Sequence, residues 1–145
     1  MRALTPHQGI INLLEVYEGD NNIYLIMDFA EGGCLFDEIK NRTNDFTRKE
    51  IQVIMSHLLN AVAYMHSKNI MHRDLKPENI LYKTKGDYSA LKIADFGLST
   101  FANDVPYLYP KCGTPGYVAP ESIIKEMIIL VQQLRISSTN RKGTN

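Results

Sequence analysis

The chain has no tryptophan, only two cysteines and no excess of either charge across its 145 residues. Sixteen Lys and Arg balance sixteen Asp and Glu. The lopsided basic charge that nucleic acid or an anionic membrane selects is therefore missing, and neither is expected as a partner. No apolar run exceeds five residues, as at Met127 to Val131, against the ~20 needed to span a bilayer. Pro6, His7 and Gln8 stand where a signal peptide would carry its apolar stretch, so no secretion signal is read. Cys34 and Cys112 lack CxxC spacing, which argues against a zinc site and suits a reducing compartment, cytoplasmic with the nucleus not excluded. What remains is 44% hydrophobic and 22% charged residues, a soluble globular composition over one domain's length rather than a fibre or a polar linker.

The first third reads as strands. Ile10 to Tyr17 and Ile23 to Phe29 are rich in apolar and β-branched residues, and Glu18 to Asn22 between them is turn chemistry, so an antiparallel hairpin is expected. Glu31-Gly32-Gly33 interrupts it as a hinge, and Leu35, Phe36 and Ile39 follow at short-helix spacing. At Thr47 the hydroxyl can cap a helix while Glu50 reaches back, with Phe46 and Ile51 at staple positions. Ile51, Ile54, Met55, Leu58, Leu59, Val62 and Met65 continue one apolar stripe for about five turns, which is core packing rather than a cofactor site. Ile80 to Tyr82 and Leu91 to Ala94 read as a second hairpin, and Leu98 to Pro120 as a long irregular loop. Ser122 to Leu134 has helical spacing, and the polar end from Ile136 to Asn145 is expected to be disordered. His57 and His66 are read as surface or core histidines.

Chemistry concentrates between residues 72 and 97. His72-Arg73-Asp74-Leu75-Lys76-Pro77-Glu78-Asn79 brings a carboxylate, an ammonium, a guanidinium and an amide together just before one strand, and Asp95-Phe96-Gly97 follows the next. Two carboxylates and an amide then face one space. Hard oxygen donors such as Asp95 and Asn79 suit Mg²⁺, which takes few protein ligands and fills its shell with phosphate oxygens and water. A nearby lysine neutralises a transferring phosphoryl group. Neither tripeptide carries meaning alone. Both in this order, with Lys76 and Asn79 spaced as they are from Asp74 and Ala119-Pro120-Glu121 beyond the loop, match a known signature set.

On those residues the chain resembles the eukaryotic protein kinases over nearly all of Leu4 to Glu121. Lys76 marks the serine/threonine type, and Cys112 to Glu121 with Asp95 to Ser99 is similar to the calmodulin-dependent and calcium-dependent group. The resemblance implies an α+β, protein-kinase-like fold. Residues 1–29 would end the small β lobe, 30–33 form the hinge, 34–121 begin the mainly helical lobe, and 122–145 form a divergent tail. It also implies ATP and Mg²⁺ as cofactors and protein Ser/Thr hydroxyls as acceptors. By resemblance Asp74, Lys76, Asn79 and Thr114 are catalytic, Thr114 bonding Asp74 and Lys76. Asn79 and Asp95 would hold the metal. Met27 as gatekeeper, Asp28 and Ala30 by their backbone, Glu78, Leu81 beneath the adenine and Asp95 make up the cofactor-binding set. His72 and Phe96 would stack in an apolar spine, and Glu78 could meet a substrate arginine. Arg73 would clamp a phosphate on the long loop, but Pro110 occupies the aligned phosphorylation position, leaving Tyr109, Ser99, Thr100 or acidic Asp104 as substitutes. Cys34 stands where relatives place an acid.

Other family parts are absent. There is no GxGxxG, the first lysine is Lys40, and no Trp-bearing helix follows Glu121. The expectation is a domain incomplete at both ends, with apolar surface exposed along the long helix and around the second hairpin. Three readings stay open: the central piece of an active serine/threonine kinase, a kinase-like binding module without catalysis, or a non-functional remnant. No DxDxDG loop occurs, so calcium or calmodulin control is expected only through segments outside this chain.

Overall fold

The computed structural model describes residues 1–103 and 112–119. It forms two compact units, Met1–Gly113 and Thr114–Asn145, each taken by itself. Asp104, Tyr109, Pro110, Glu121 and the helix expected over 122–134 lie outside the described residues.

The first unit is built on one long helix and short antiparallel ribbons. Strands β1 (Leu13–Glu18) and β2 (Ile23–Met27) form the expected hairpin, with an irregularity between Leu13 and Glu15. The hairpin starts later than residue 10, because Ile10 and Ile11 are buried and bond to a different strand. Helix α1 is Leu35–Asn41 and helix α2 is Arg48–Ser67. The capping box at the start of α2 is formed: Thr47 Oγ1 accepts from the Glu50 N–H and the Glu50 carboxylate accepts from the Thr47 N–H. Phe46 packs with Tyr88 and beneath Arg42, while Ile51 is half exposed. Strands β3 (Ile70–Met71), β4 (Ile80–Tyr82), β5 (Leu91–Ile93) and β6 (Thr100–Phe101) follow, β4 pairing β5 and β3 pairing β6. β6 corrects the reading of residues 98–120 as wholly irregular. Its two residues pair Met71 and Ile70 across a sequence gap that periodicity does not register.

Two apolar clusters hang on α2. Ala61 and Met65 pack with Leu4, Ile10, Ile11, Ile70, Ile93 and Phe96. Ile54 packs with Leu35, Ile80, Tyr82 and Leu91, and Leu58 touches both groups. Ile51, Met55 and Leu59 on the same helix are exposed at 49, 46 and 61%, so the stripe read as core packing is buried only in part, and apolar surface is exposed along this helix. Around the second hairpin the expectation fails, since Ile80, Tyr82, Leu91 and Ile93 are all buried beneath α1 and α2. No described helix is long and apolar enough to cross a membrane.

Residues 31–34 are a paired segment. The N–H groups of Glu31 and Gly32 donate to the Lys83 and Tyr82 carbonyls at 3.2 and 3.0 Å, and the Tyr82 N–H returns a bond to Gly33 at 2.9 Å. Any Cβ at Gly32 would lie 2.4 Å from the Tyr82 Cβ, and Gly33 has φ 78°, so both glycines are required by contact and conformation respectively.

Candidate active site

The segment between β3 and β4 has no ladder to hold it and is fixed by side chains instead. His72 is buried. Its Nε2 lies 2.9 Å from the Ala94 carbonyl, and its Nδ1 accepts the Asp74 N–H at 3.3 Å. One nitrogen donates and the other accepts, so the ring is neutral, and burial pushes its pKa below the ordinary value of 6.5. Phe96 meets the ring edge-on at 4.9 Å between centroids, the expected stacking pair. Arg73 adopts φ 70° and its Nε donates to the Leu98 carbonyl at 2.7 Å.

Asp74 and Asn79 are both about nine-tenths buried. The Asn79 amide donates to the Asp74 carbonyl at 2.9 Å and to its Oδ2 at 3.3 Å. Lys76 Nζ stands 3.0 Å from the same carboxylate oxygen, and that contact raises the ammonium's pKa above its usual 10.5. A short 3₁₀ turn, Pro77–Asn79, places Asn79 at the mouth of β4, with proline supplying the fixed φ at its start. The Asn79 carbonyl accepts the Ala94 N–H at 2.9 Å. Ala94 is thus bonded on one side to His72 and on the other to Asn79, which carries Asp95 to the same end of the hairpin. Asp95 adopts φ 57° and is exposed, its Oδ1 accepting from the Gly97 N–H at 3.2 Å. Arg73 and Asp95, with Asn69, are the non-glycine residues in the left-handed region among the described residues.

The donor set fits a hard cation. Asn79 has its N–H groups committed to Asp74, which leaves its Oδ1 free among the described residues, and Asp95 has a second carboxylate oxygen to offer. No group of three or more His, Cys, Asp or Glu among the described residues could hold a metal by itself. A pair of oxygens suits an ion that completes its shell with phosphate and water.

Each of the remaining expected residues has its own setting. Met27 and Asp95 line one apolar cleft of about 410 Å³, together with Leu13, Leu25, Phe96 and Gly97. Asp28 follows β2, with its N–H donated to the Asn12 carbonyl at 3.0 Å, and Ala30 packs against the first core cluster. Leu81 is half-buried on β4 and bridges Cys34. Glu78 is half-buried, with Oε2 enclosed and without a hydrogen-bond partner among the described residues. Thr114 belongs to the second unit, where its carbonyl accepts the Tyr117 N–H at 3.1 Å. Cys34 caps α1: its sulfur accepts the Asp37 N–H at 3.4 Å and donates to the Asp37 carboxylate at 3.1 Å. Sequence reasoning missed Lys92, a lysine only 8% exposed between Leu91 and Ile93. Its only signal was a cation inside an apolar strand.

Comparison with known proteins gives the family of the chain. The family model described as "Protein kinase domain" matches residues 1–133. The calcium/calmodulin-dependent protein kinase cmkB of Emericella nidulans is 46% identical over 119 residues, covering 81% of this chain and 29% of that protein. A CDPK-related protein kinase of Daucus carota and CDPK-related kinase 1 of Arabidopsis thaliana are each 40% identical over 121 residues, covering 83% of this chain. The chain spans only 20% and 21% of those two relatives' lengths.

Proposed function

The chain belongs to the protein kinase domain family, and from that premise we propose that it carries the phosphotransfer centre of a serine/threonine kinase acting on protein hydroxyls. Domains of this family work on ATP with a divalent metal ion. The observation that carries the reading is the meeting of Asp74, Lys76 and Asn79 within hydrogen-bond distance, with Asp95 tied to them through Ala94.

In this reading Asp74 accepts or orients the proton of the substrate hydroxyl, since its carboxylate is fixed and faces a cation. Lys76 stays protonated at any physiological pH and steadies the γ-phosphate. Asn79 and Asp95 hold Mg²⁺, which when bound neutralises the charge of the transferring phosphate. The Asp28 carbonyl and the Ala30 N–H, neither bonded to the backbone among the described residues, take the edge of the adenine. Met27, Leu81 and Glu78 line its site, and Thr114 belongs to the catalytic set that the resemblance implies. Residues 1–29, 30–33 and 34–121 are the small-lobe end, hinge and large-lobe start, and 122–145 a divergent tail. The free thiols of Cys34 and Cys112 support a cytoplasmic setting. The name of the Emericella nidulans relative states calcium and calmodulin for that protein. No such control is assigned here to residues 1–145.

The test is nucleotide binding. A fluorescent ATP analogue should bind in a Mg²⁺-dependent manner, and Asp95→Ala should remove the Mg²⁺ dependence. Binding with equal affinity with and without Mg²⁺ in the unaltered protein would contradict the reading.

A further inference from the structure

A buried lysine needs a reason. Lys92 lies on β5 between two fully enclosed aliphatic side chains, and a cation there is tolerated only when paired and hydrogen-bonded. Its Nζ donates to the Ile10 carbonyl at 3.1 Å and sits 3.2 Å from Asp28 Oδ2. The Asp28 carboxylate also accepts the Asn12 side-chain amide at 2.7 Å, while its N–H donates to the Asn12 carbonyl. Burial alone would raise the Asp28 carboxyl, but Lys92 and Asn12 together hold it below the usual carboxylate value. The Ile10 segment is itself stitched to β5, Ile11 N–H to the Ile93 carbonyl and Ile93 N–H to the Gly9 carbonyl, each at 2.9 Å.

We infer that Lys92 is a positioning residue for nucleotide binding, holding the chain at Asp28 at a fixed distance from the phosphate end of the site. This rests on the proposed function above. Asp28 is where the adenine edge would bond. Its side chain and its N–H are both committed to this cluster, which leaves the carbonyl as its unspent polar group and fixes that carbonyl's direction. Three residues beyond Lys92, just past the end of β5, lies Asp95. A single ammonium thus links the strand that ends at the hinge to the strand that delivers the metal-holding carboxylate. A merely structural lysine would stabilise both ends of the site equally. A positioning lysine acts on one end relative to the other.

The experiment compares, on the full chain, the affinities of Mg²⁺–ATP and of Mg²⁺–tripolyphosphate, which has the phosphates and no adenine. Lys92→Met should lower the ratio of ATP to tripolyphosphate affinity by about tenfold, the equivalent of one well-directed hydrogen bond. Should Lys92→Met fold poorly because Asp28 is left unpaired, the double variant Lys92→Met/Asp28→Asn removes both charges and should show the same loss of ratio. Variants that bind tripolyphosphate normally and keep the ATP ratio unchanged would overturn the inference. If the unaltered protein binds neither ligand, it is the proposed function that fails, and the inference falls with it.

Discussion

The Asn79 side-chain amide donates to both the backbone carbonyl and the carboxylate of Asp74, at 2.9 and 3.3 Å, inside a site that is about nine-tenths buried. One asparagine thereby fixes the direction of a carboxylate and leaves its own side-chain oxygen free among the described residues. Asn79→Ala removes both bonds and should cost about 1–3 kcal/mol of stability, measured by urea unfolding. The same variant should raise the Mg²⁺ concentration needed for nucleotide binding, which a loss of stability alone would not do.

His72 makes stability depend on pH in a direction that can be worked out. Burial lowers its pKa in the folded protein, so the unfolded chain takes up a proton near pH 6.5 that the fold refuses. Stability is complete above that pH and falls as the pH drops through it. His7, stacked on Tyr64, is lowered by burial and by Lys92 and adds in the same sense. The urea midpoint should decline between pH 7 and pH 5, and the decline should be shallower in His72→Gln.

Gly32 tests how closely the hinge segment lies on β4. A Cβ there would stand 2.4 Å from the Tyr82 Cβ and 2.7 Å from its carbonyl oxygen, contacts that cannot be met without moving the backbone. Gly32→Ala should destabilise by roughly 1–3 kcal/mol, visible as a lowered melting temperature. An unchanged melt would mean that residues 31–34 do not pair with Tyr82 as described.

The outer face of α2 carries Ile51, Met55 and Leu59, each roughly half exposed or more. The protein should bind a hydrophobic-surface dye, and replacing these three by lysine should reduce the signal. Because the side chains are already in solvent, stability should shift by no more than about 0.5 kcal/mol per site.

Much of this architecture is legible in the residues themselves. Thr47 and Glu50 announce the start of α2 because a capping box is a local device, complete within four residues. The cluster at Asp74 is legible for a different reason: its chemistry is concentrated along a single short segment. What escaped is what depends on distant chain. Ile10 looks like strand by composition, yet its burial against Ile93 is decided by a partner far along the sequence. Lys92 reads only as one residue of a strand until its ammonium is seen bonded to the Ile10 carbonyl and paired with Asp28. Cys34 reads as a poor substitute for an acid, and only the turn of α1 shows its sulfur serving as the cap. Half of the apolar stripe on α2 faces solvent because its periodicity reports an apolar face without naming what covers it.

The most direct test of the account is phosphate transfer from labelled ATP to a Ser/Thr-containing protein substrate, comparing the unaltered protein with Asp74→Asn. That change keeps the side chain's shape and removes its charge. The account predicts transfer to serine or threonine in the unaltered protein and a fall of roughly 10²–10⁴-fold in the variant, with Mg²⁺–nucleotide binding retained. Transfer that proceeds undiminished in Asp74→Asn would contradict it.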